Sequence, residues 1–203
     1  MTKRRYTLGQ RAATQEETRR RIVEATVHLH ETLGPRGTTI SGVAERAQVQ
    51  RLTVYRHFPD EEALFKACTG HWFAANPIPE PSGWAMEAGY ARVNSALSQL
   101  YAYYRRTERM WTVTFRDEAD VPSLAEPMHR VRAFLDAIRD DLVDHLAPDA
   151  STIEPVRVTL GSAVQFLTWQ SLARQGQDDA TIAELVCDWV RGASRPSTTP
   201  SRR

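Results

Sequence analysis

Apolar residues recur at helical spacing along most of the chain. The first such stretch carries Ile22 and Leu29 on one face and ends at Gly34, which Pro35 follows. Glycine can take the left-handed turn that closes a helix, and proline cannot continue one. Upstream, Thr14 stands three residues before Glu17, the spacing of a capping box. The pattern therefore predicts a helix that begins near Thr14 and ends at Gly34.

Two short helices joined by three residues are predicted next. The first covers residues 40–47 and the second covers residues 51–58, with residues 48–50 as a tight turn. Asp60 caps a longer helix over residues 61–73. Two helices of about eight residues joined by a short turn form a helix-turn-helix, whose second helix suits the DNA major groove.

The clearest break in the pattern lies at residues 77–81, where three of five residues are proline and resist both helix and strand. Beyond it the spacing again predicts helices, over residues 84–104, 106–117, 123–147, 155–174 and 180–192. We therefore expect an all-α protein with an N-terminal helix-turn-helix domain and a second helical domain. The predicted organisation is a flexible basic arm (1–13), a helix-turn-helix domain (14–76), a helical domain (77–193) and a disordered tail (194–203).

Charge is distributed unevenly along the chain. Residues 1–56 hold 11 Lys and Arg against 5 acidic residues, a balance of +6, whereas residues 77–203 hold 14 against 17, a balance of −3. This asymmetry indicates that the N-terminal part binds a polyanion. A solvated basic helix face would give the same count, so charge alone leaves both interpretations open.

Several function classes find no support in the composition. No apolar run approaches the roughly 18 residues of a membrane span, and no apolar segment of the secretory type follows the N-terminus. The two cysteines, Cys68 and Cys187, lie far apart, which favours a reducing cytoplasm. Cys68 and His71 lack a second ligand pair. We therefore expect no membrane association, metal, cofactor or enzymatic activity.

One segment carries a more specific signal. Residues 37–64 place Thr38-Thr39 before the first short helix and Thr53-Val54-Tyr55-Arg56-His57-Phe58 on the second. This arrangement resembles the DNA-binding domain of TetR-family transcriptional regulators. It departs from that pattern in having Gln48 where the turn usually has glycine, Gln50 in place of a frequent serine cap, and Glu61 where a phosphate-binding lysine is common.

The resemblance implies which residues contact DNA. Arg51 would bind guanine, and Leu52 would either touch a thymine methyl group or pack inside the domain. Tyr55 and His57 would contact the phosphate backbone, with a core role as the alternative for His57. Thr39 would cap its helix and reach a phosphate. The full predicted set is Thr39, Gln50, Arg51, Leu52, Thr53, Tyr55, Arg56 and His57.

The second domain is rich in aromatic residues and methionine, which suits an apolar ligand pocket. Most of these residues are equally compatible with an ordinary core. The predicted pocket is lined by Met110, Trp111, Phe115, Phe166 and Trp169, with His129 and Gln165 as polar anchors. We expect an apolar or aromatic effector, and the open alternative is a protein partner for this domain.

The last two predicted helices carry apolar residues on more than one stripe, as a dimer interface requires. The predicted interface contains Val156, Leu160, Ala163, Val164, Leu167, Ile182, Leu185, Val186 and Trp189. The resemblance implies a homodimer on a palindromic operator, with half-sites about 34 Å or somewhat more apart. It also implies a repressor that its effector releases from DNA by a population shift.

Overall fold

The computed structural model describes residues 2–195, and within this range it contains helices and no strand. This confirms the all-α prediction. Met1 and residues 196–203, which include most of the predicted tail, lie outside the described residues. The α-helices are α1 (Thr2–Leu33), α2 (Ile40–Arg46), α3 (Arg51–His57), α4 (Glu61–Ala75), α5 (Gly89–Asp117), α6 (Ala125–Leu146), α7 (Ile153–Ala163), α8 (Phe166–Ala173) and α9 (Asp179–Ala193).

Helix α1 begins earlier than the sequence pattern predicts. It already includes the segment expected to be a flexible arm, and Thr14 lies inside it, where the Thr14 hydroxyl donates to the carbonyl of Gln10 at 2.9 Å. Glu17 pairs instead with Arg20 at 2.7 Å. Thr14 and Glu17 therefore do not form the predicted capping box, because the helix continues through both residues.

The chain divides into two compact units. The first comprises Met1–Pro77 together with Arg109–Pro127, and the second comprises Ile78–Glu108 together with Met128–Arg203. The first unit thus includes a segment that the sequence pattern assigned to the second domain. The physical reason is an aromatic contact, since the ring of Trp111 packs edge-on against that of Trp72 at 5.8 Å.

In the first unit, α1 packs against α2 and α4, and α2 packs against α3. Their facing side chains form one apolar core, which also fixes the helix-turn-helix. Each buried aliphatic or aromatic side chain contributes roughly 1.5–3 kcal/mol relative to an exposed one. The core includes Ile22, Val23, Ala25, Val43, Ala44, Ala47, Val54, Phe58, Leu64 and Cys68.

In the second unit, α7 and α8 both pack against α9. The helix predicted over residues 155–174 is broken between α7 and α8. Two buried tyrosines satisfy the carbonyl groups at the break: the Tyr101 hydroxyl donates to Ala163 at 2.8 Å, and the Tyr104 hydroxyl donates to Val164 at 2.6 Å. The break costs little because these carbonyls keep hydrogen-bond partners.

A buried ion pair joins α5 to α6 in this unit. The guanidinium of Arg92, which is buried, donates to both carboxylate oxygens of Asp141 at 2.8 and 3.0 Å, and the Trp84 indole donates to the same carboxylate at 3.2 Å. Across the described residues, no helix has the length and apolar character needed to span a bilayer.

A candidate DNA-binding surface

The first helix of the helix-turn-helix has a well-formed N-terminus. Thr39 is its N-cap, and its side-chain oxygen accepts a hydrogen bond from the backbone of Gly42 at 3.1 Å. Just upstream, the Thr38 hydroxyl donates to the carbonyl of Gly34 at 2.9 Å. These bonds fix the start of α2 relative to the end of α1.

The turn between α2 and α3 is closed without glycine. The amide of Val49 donates to Ala44 at 2.9 Å, and the amide of Gln48 donates to Glu45 at 3.0 Å, which is the Schellman pattern. Gln48 has a φ of +55°, in the left-handed region. A residue other than glycine pays roughly 1–2 kcal/mol there.

Arg21 supports this turn from α1. Its Nη2 donates to the carbonyl of Ala47 and, at 3.5 Å, to that of Gln48, so it satisfies carbonyl groups that the end of α2 exposes. Arg21 could not be predicted as a residue of this site, since no local pattern links it to a turn 26 residues away.

Helix α3 is anchored by one face and presents the other to solvent. Val54 is fully buried and Phe58, directly after the helix, is 2% exposed, with the guanidinium carbon of Arg19 lying 4.7 Å from the centre of the Phe58 ring. Leu52 is 58% exposed and Tyr55 is 39% exposed. Leu52 therefore does not pack inside the domain, which was one of its two predicted roles.

The remaining predicted DNA contacts lie on or beside the same helix. Arg51, Arg56, Thr39 and Gln50 are exposed. Thr53 and His57 are half-buried. Gln50 is the N-cap of α3 but makes no capping hydrogen bond with its side chain.

Elsewhere in the first unit, α1 and α4 bury a polar pair. Cys68 Sγ lies 3.6 Å from His30 Nδ1. Burial lowers the pKa of His30 to about 4 and raises the pKa of the Cys68 thiol to about 12. A neutral imidazole beside a protonated thiol is a packing contact, not a nucleophilic centre.

The structure places the predicted pocket residues in two different units. Met110, Trp111 and Phe115 belong to the first unit, and His129, Gln165, Phe166 and Trp169 belong to the second. In the second unit the Phe166 and Trp169 rings pack at 5.6 Å, both buried, and His129 is exposed. The Gln165 amide donates to Gly161 at 3.1 Å. Their role in ligand binding stays a prediction.

The predicted dimer interface contains residues of two kinds, and its role in assembly stays a prediction. Six of its residues are buried within the chain itself, where α7 and α8 pack against α9: Val156, Leu160, Ala163, Val164, Ile182 and Val186. Three predicted residues remain exposed, namely Leu167 (53%), Leu185 (39%) and Trp189 (43%).

In the part of the chain that the structure describes, no three His, Cys, Asp or Glu side chains are grouped closely enough to hold a metal ion.

Comparison with known proteins gives an independent description of the same segment. Residues 22–68 match the family model described as bacterial regulatory proteins, tetR family. The chain is 32% identical to the HTH-type transcriptional repressor KstR of Mycolicibacterium smegmatis over 135 residues. The match covers 65% of this chain and 58% of that protein, so it spans less than two thirds of the relative.

Solved structures share the fold over most of the chain. A TetR-like transcriptional regulator from Rhodococcus sp. RHA1 has a TM-score of 0.63 at 15% identity, covering 86% of this chain and 94% of that one. The regulator FadR of Bacillus subtilis, solved in complex with stearoyl-CoA, has a TM-score of 0.55 at 16% identity, covering 84% and 96%. At such low identity these likenesses establish the fold alone.

Proposed function

We propose that this chain, which belongs to the TetR family of bacterial regulatory proteins, is a transcriptional regulator that binds DNA through α3. One observation carries the proposal. Helix α3 is held from beneath by Val54 and Phe58, while Arg51, Leu52 and Tyr55 project from its other side. A short helix presented in this way, within a helix-turn-helix, fits the DNA major groove.

The exposed side chains would contact different parts of the DNA. Arg51, at the start of the helix, can donate two hydrogen bonds to guanine, and Leu52 offers an apolar contact to a thymine methyl group. Tyr55 and His57 serve as phosphate contacts that set the register of the helix on the duplex. Thr39, with Gln50, Thr53 and Arg56, lies at the margin of the same surface.

The assembly we propose is a homodimer on a palindromic operator. Leu167, Leu185 and Trp189 leave apolar surface exposed on α8 and α9, which is the chemistry of an interface between two copies. A two-fold axis would place two copies of α3 on half-sites about one helical turn apart, ~34 Å.

We further propose a repressor that acts in the cytoplasm and is released by an apolar or aromatic effector. Two similarities support this proposal: the matched relative is named a repressor, and FadR, which shares the fold, was solved with stearoyl-CoA. The aromatic inventory of helices α5, α6 and α8 is chemically suited to such a molecule. Effector binding would favour a conformation with low DNA affinity.

The test is selection of randomised duplex DNA on the purified protein, followed by titration of the enriched site at fixed salt. We expect a palindrome. Arg51→Ala should weaken binding to it by 1–3 kcal/mol, roughly 5- to 150-fold, and relax preference at one base pair. Arg174→Ala, which removes an exposed arginine of the second unit, should leave binding unchanged.

Two outcomes would overturn the proposal. Binding without sequence preference and with a steep salt dependence would indicate general attraction to phosphates. If apolar compounds do not release the protein from the operator but another protein does, the second unit would bind a protein partner instead of a small molecule.

A further inference from the structure

The connection between α1 and α2 is tightly packed against the end of α5. Gly34 closes α1 with a φ of +86°. A Cβ atom at this position would lie 2.1 Å from Arg116 Nη2 and 2.2 Å from Asp117 Oδ2. Glycine is therefore required here twice, by its backbone conformation and by the close approach of these two side chains.

Asp117 is the centre of this contact. It is 2% exposed, and its Oδ2 accepts a hydrogen bond from the backbone amide of Arg36 at 3.1 Å. The guanidinium of Arg116 donates to the same carboxylate at 2.7 and 3.1 Å, and also to the carbonyl of Leu33 at 2.8 Å. A buried carboxylate thus bonds the loop backbone directly, while its arginine neighbour bonds the last turn of α1.

The bonds continue from this loop into the helix-turn-helix. Arg36 is three residues from Thr39, the N-cap of α2, and the carbonyl of Gly34 accepts a bond from Thr38. Because α2 is joined to α3 by a closed four-residue turn, the position of residues 34–39 sets the position of α3.

We propose that Asp117 is a positioning residue for DNA recognition, which fixes the α1–α2 connection and thereby aims α3. This inference rests on the proposed function, since it explains how α3 is held. The hydrogen bond from Arg36 to Asp117 also adds a polar contact to the aromatic contact that holds Arg109–Pro127 in the first unit.

A second aspartate on the same segment provides a matched control. Asp120 Oδ2 accepts a hydrogen bond from the Arg36 guanidinium at 2.8 Å, but both side chains are exposed, at 53% and 70%. Exposed ion pairs contribute little to stability. Asp117→Ala and Asp120→Ala each remove one negative charge near Arg36, so their general electrostatic effect on binding a polyanion is the same.

The experiment compares both variants on the selected operator and on an unrelated duplex at fixed salt. Loss of an acidic side chain alone would strengthen binding to either DNA. We expect both variants to bind the unrelated duplex equally, at or slightly above the wild-type affinity, because each loses one negative charge. On the operator, Asp117→Ala should bind about tenfold or more weakly than Asp120→Ala. Asp117→Asn retains one side-chain oxygen that can accept the hydrogen bond from the Arg36 amide. This variant should therefore recover part of the lost operator affinity.

Gly34→Ala disrupts the same contact without a change of charge, because the added Cβ would clash with Arg116 and Asp117. Gly176→Ala is its control, because Gly176 has a φ of +83° and nothing within 4 Å of the added Cβ. We expect only the first to weaken operator binding. Equal operator affinity for Asp117→Ala and Asp120→Ala, or for the two glycine variants, would overturn the proposal.

Hydrogen exchange keeps the proposal testable without DNA. In Asp117→Ala the amides of Arg36 and Gly42 should exchange at least about tenfold faster, while core amides of α4 keep their protection. Loss of protection throughout the unit would mean a general stability role and would contradict positioning. If the wild type selects no operator, the proposed function fails, and this measurement still decides the role of Asp117.

Discussion

His30 is a buried histidine in the first unit. The residue is 7% exposed. Its Nδ1 lies 3.6 Å from Cys68 Sγ, and its ring centroid lies 5.5 Å from that of Phe65. Burial lowers its pKa to about 4, and the nearby carboxylate of Asp117 raises it by a smaller amount. Desolvation is the larger effect because the surroundings are mostly apolar.

This pKa predicts acid sensitivity. The native state keeps His30 neutral, whereas the unfolded chain takes up a proton below its ordinary pKa of about 6.5. Stability is therefore fully present above pH 6.5 and falls as the pH drops from 6.5 towards 4, by at most about 1.4 kcal/mol per pH unit. Urea unfolding at pH 7.5 and pH 5 should show this loss.

His30→Gln serves as the comparison, because glutamine stays neutral across this range. Its free energy of unfolding should be lower at pH 7.5 but should change less between the two pH values. An unchanged pH dependence in His30→Gln would assign the acid sensitivity to another group. His71→Gln, an exposed substitution on α4, should leave the pH dependence as in the wild type.

Residue environments were predictable where helical spacing governs them. The helical period of α3 is consistent with the burial of Val54 and Phe58 and with the exposure of Arg51. It left Leu52 open, because a short helix has few neighbours that define its buried face. The hydrogen bond between Asp117 and the α1–α2 loop could not be predicted, since its donor, the Arg36 amide, is 81 residues away in the sequence.

At the scale of elements, Gln48 is the clearest local conflict. Replacement by glycine removes the left-handed penalty at the Schellman turn but adds freedom to the unfolded chain. We expect Gln48→Gly to raise the free energy of unfolding by about 1 kcal/mol in chemical denaturation. Gln50→Gly, at an ordinary φ of −79°, should bring no gain, and a loss of stability in Gln48→Gly would contradict this account.

Element boundaries show where sequence patterns are insufficient. The short helices and their turn were predicted to within one or two residues, because Thr39, Pro59 and Asp60 mark their ends. The break between α7 and α8 was missed, since its stabilising donors, Tyr101 and Tyr104, lie some 60 residues earlier in the chain. A helix that is broken by distant side chains carries no local signal.

At the scale of the whole chain, the sequence pattern placed one boundary at the prolines and assigned everything beyond it to a second domain. In the structure, Arg109–Pro127 belongs to the first unit. The aromatic spacing of Trp111 and Phe115 is compatible with a ligand pocket and with packing against the first unit. The contact of Trp111 with Trp72 and Phe73 is a tertiary contact, so spacing along the chain could not predict it.

Exposed apolar side chains lead to a prediction about assembly. Leu185 and Trp189 lie four residues apart and therefore share one face of α9, and both are about 40% exposed. An aromatic side chain at the centre of an interface often contributes 2 kcal/mol or more. We expect sedimentation equilibrium to show a dimer for the wild type at micromolar concentration and a strong shift to monomer for Trp189→Glu.

Met86→Glu is the matched control, because Met86 is 99% exposed in a loop and the same charge there should leave the dimer intact. The two variants also separate assembly from recognition. A monomer keeps its own α3, so Trp189→Glu should bind a single half-site as the wild type does but lose the added affinity of the full palindrome. Dissociation of the Met86→Glu dimer, or an intact dimer in Trp189→Glu, would place the interface elsewhere on the chain.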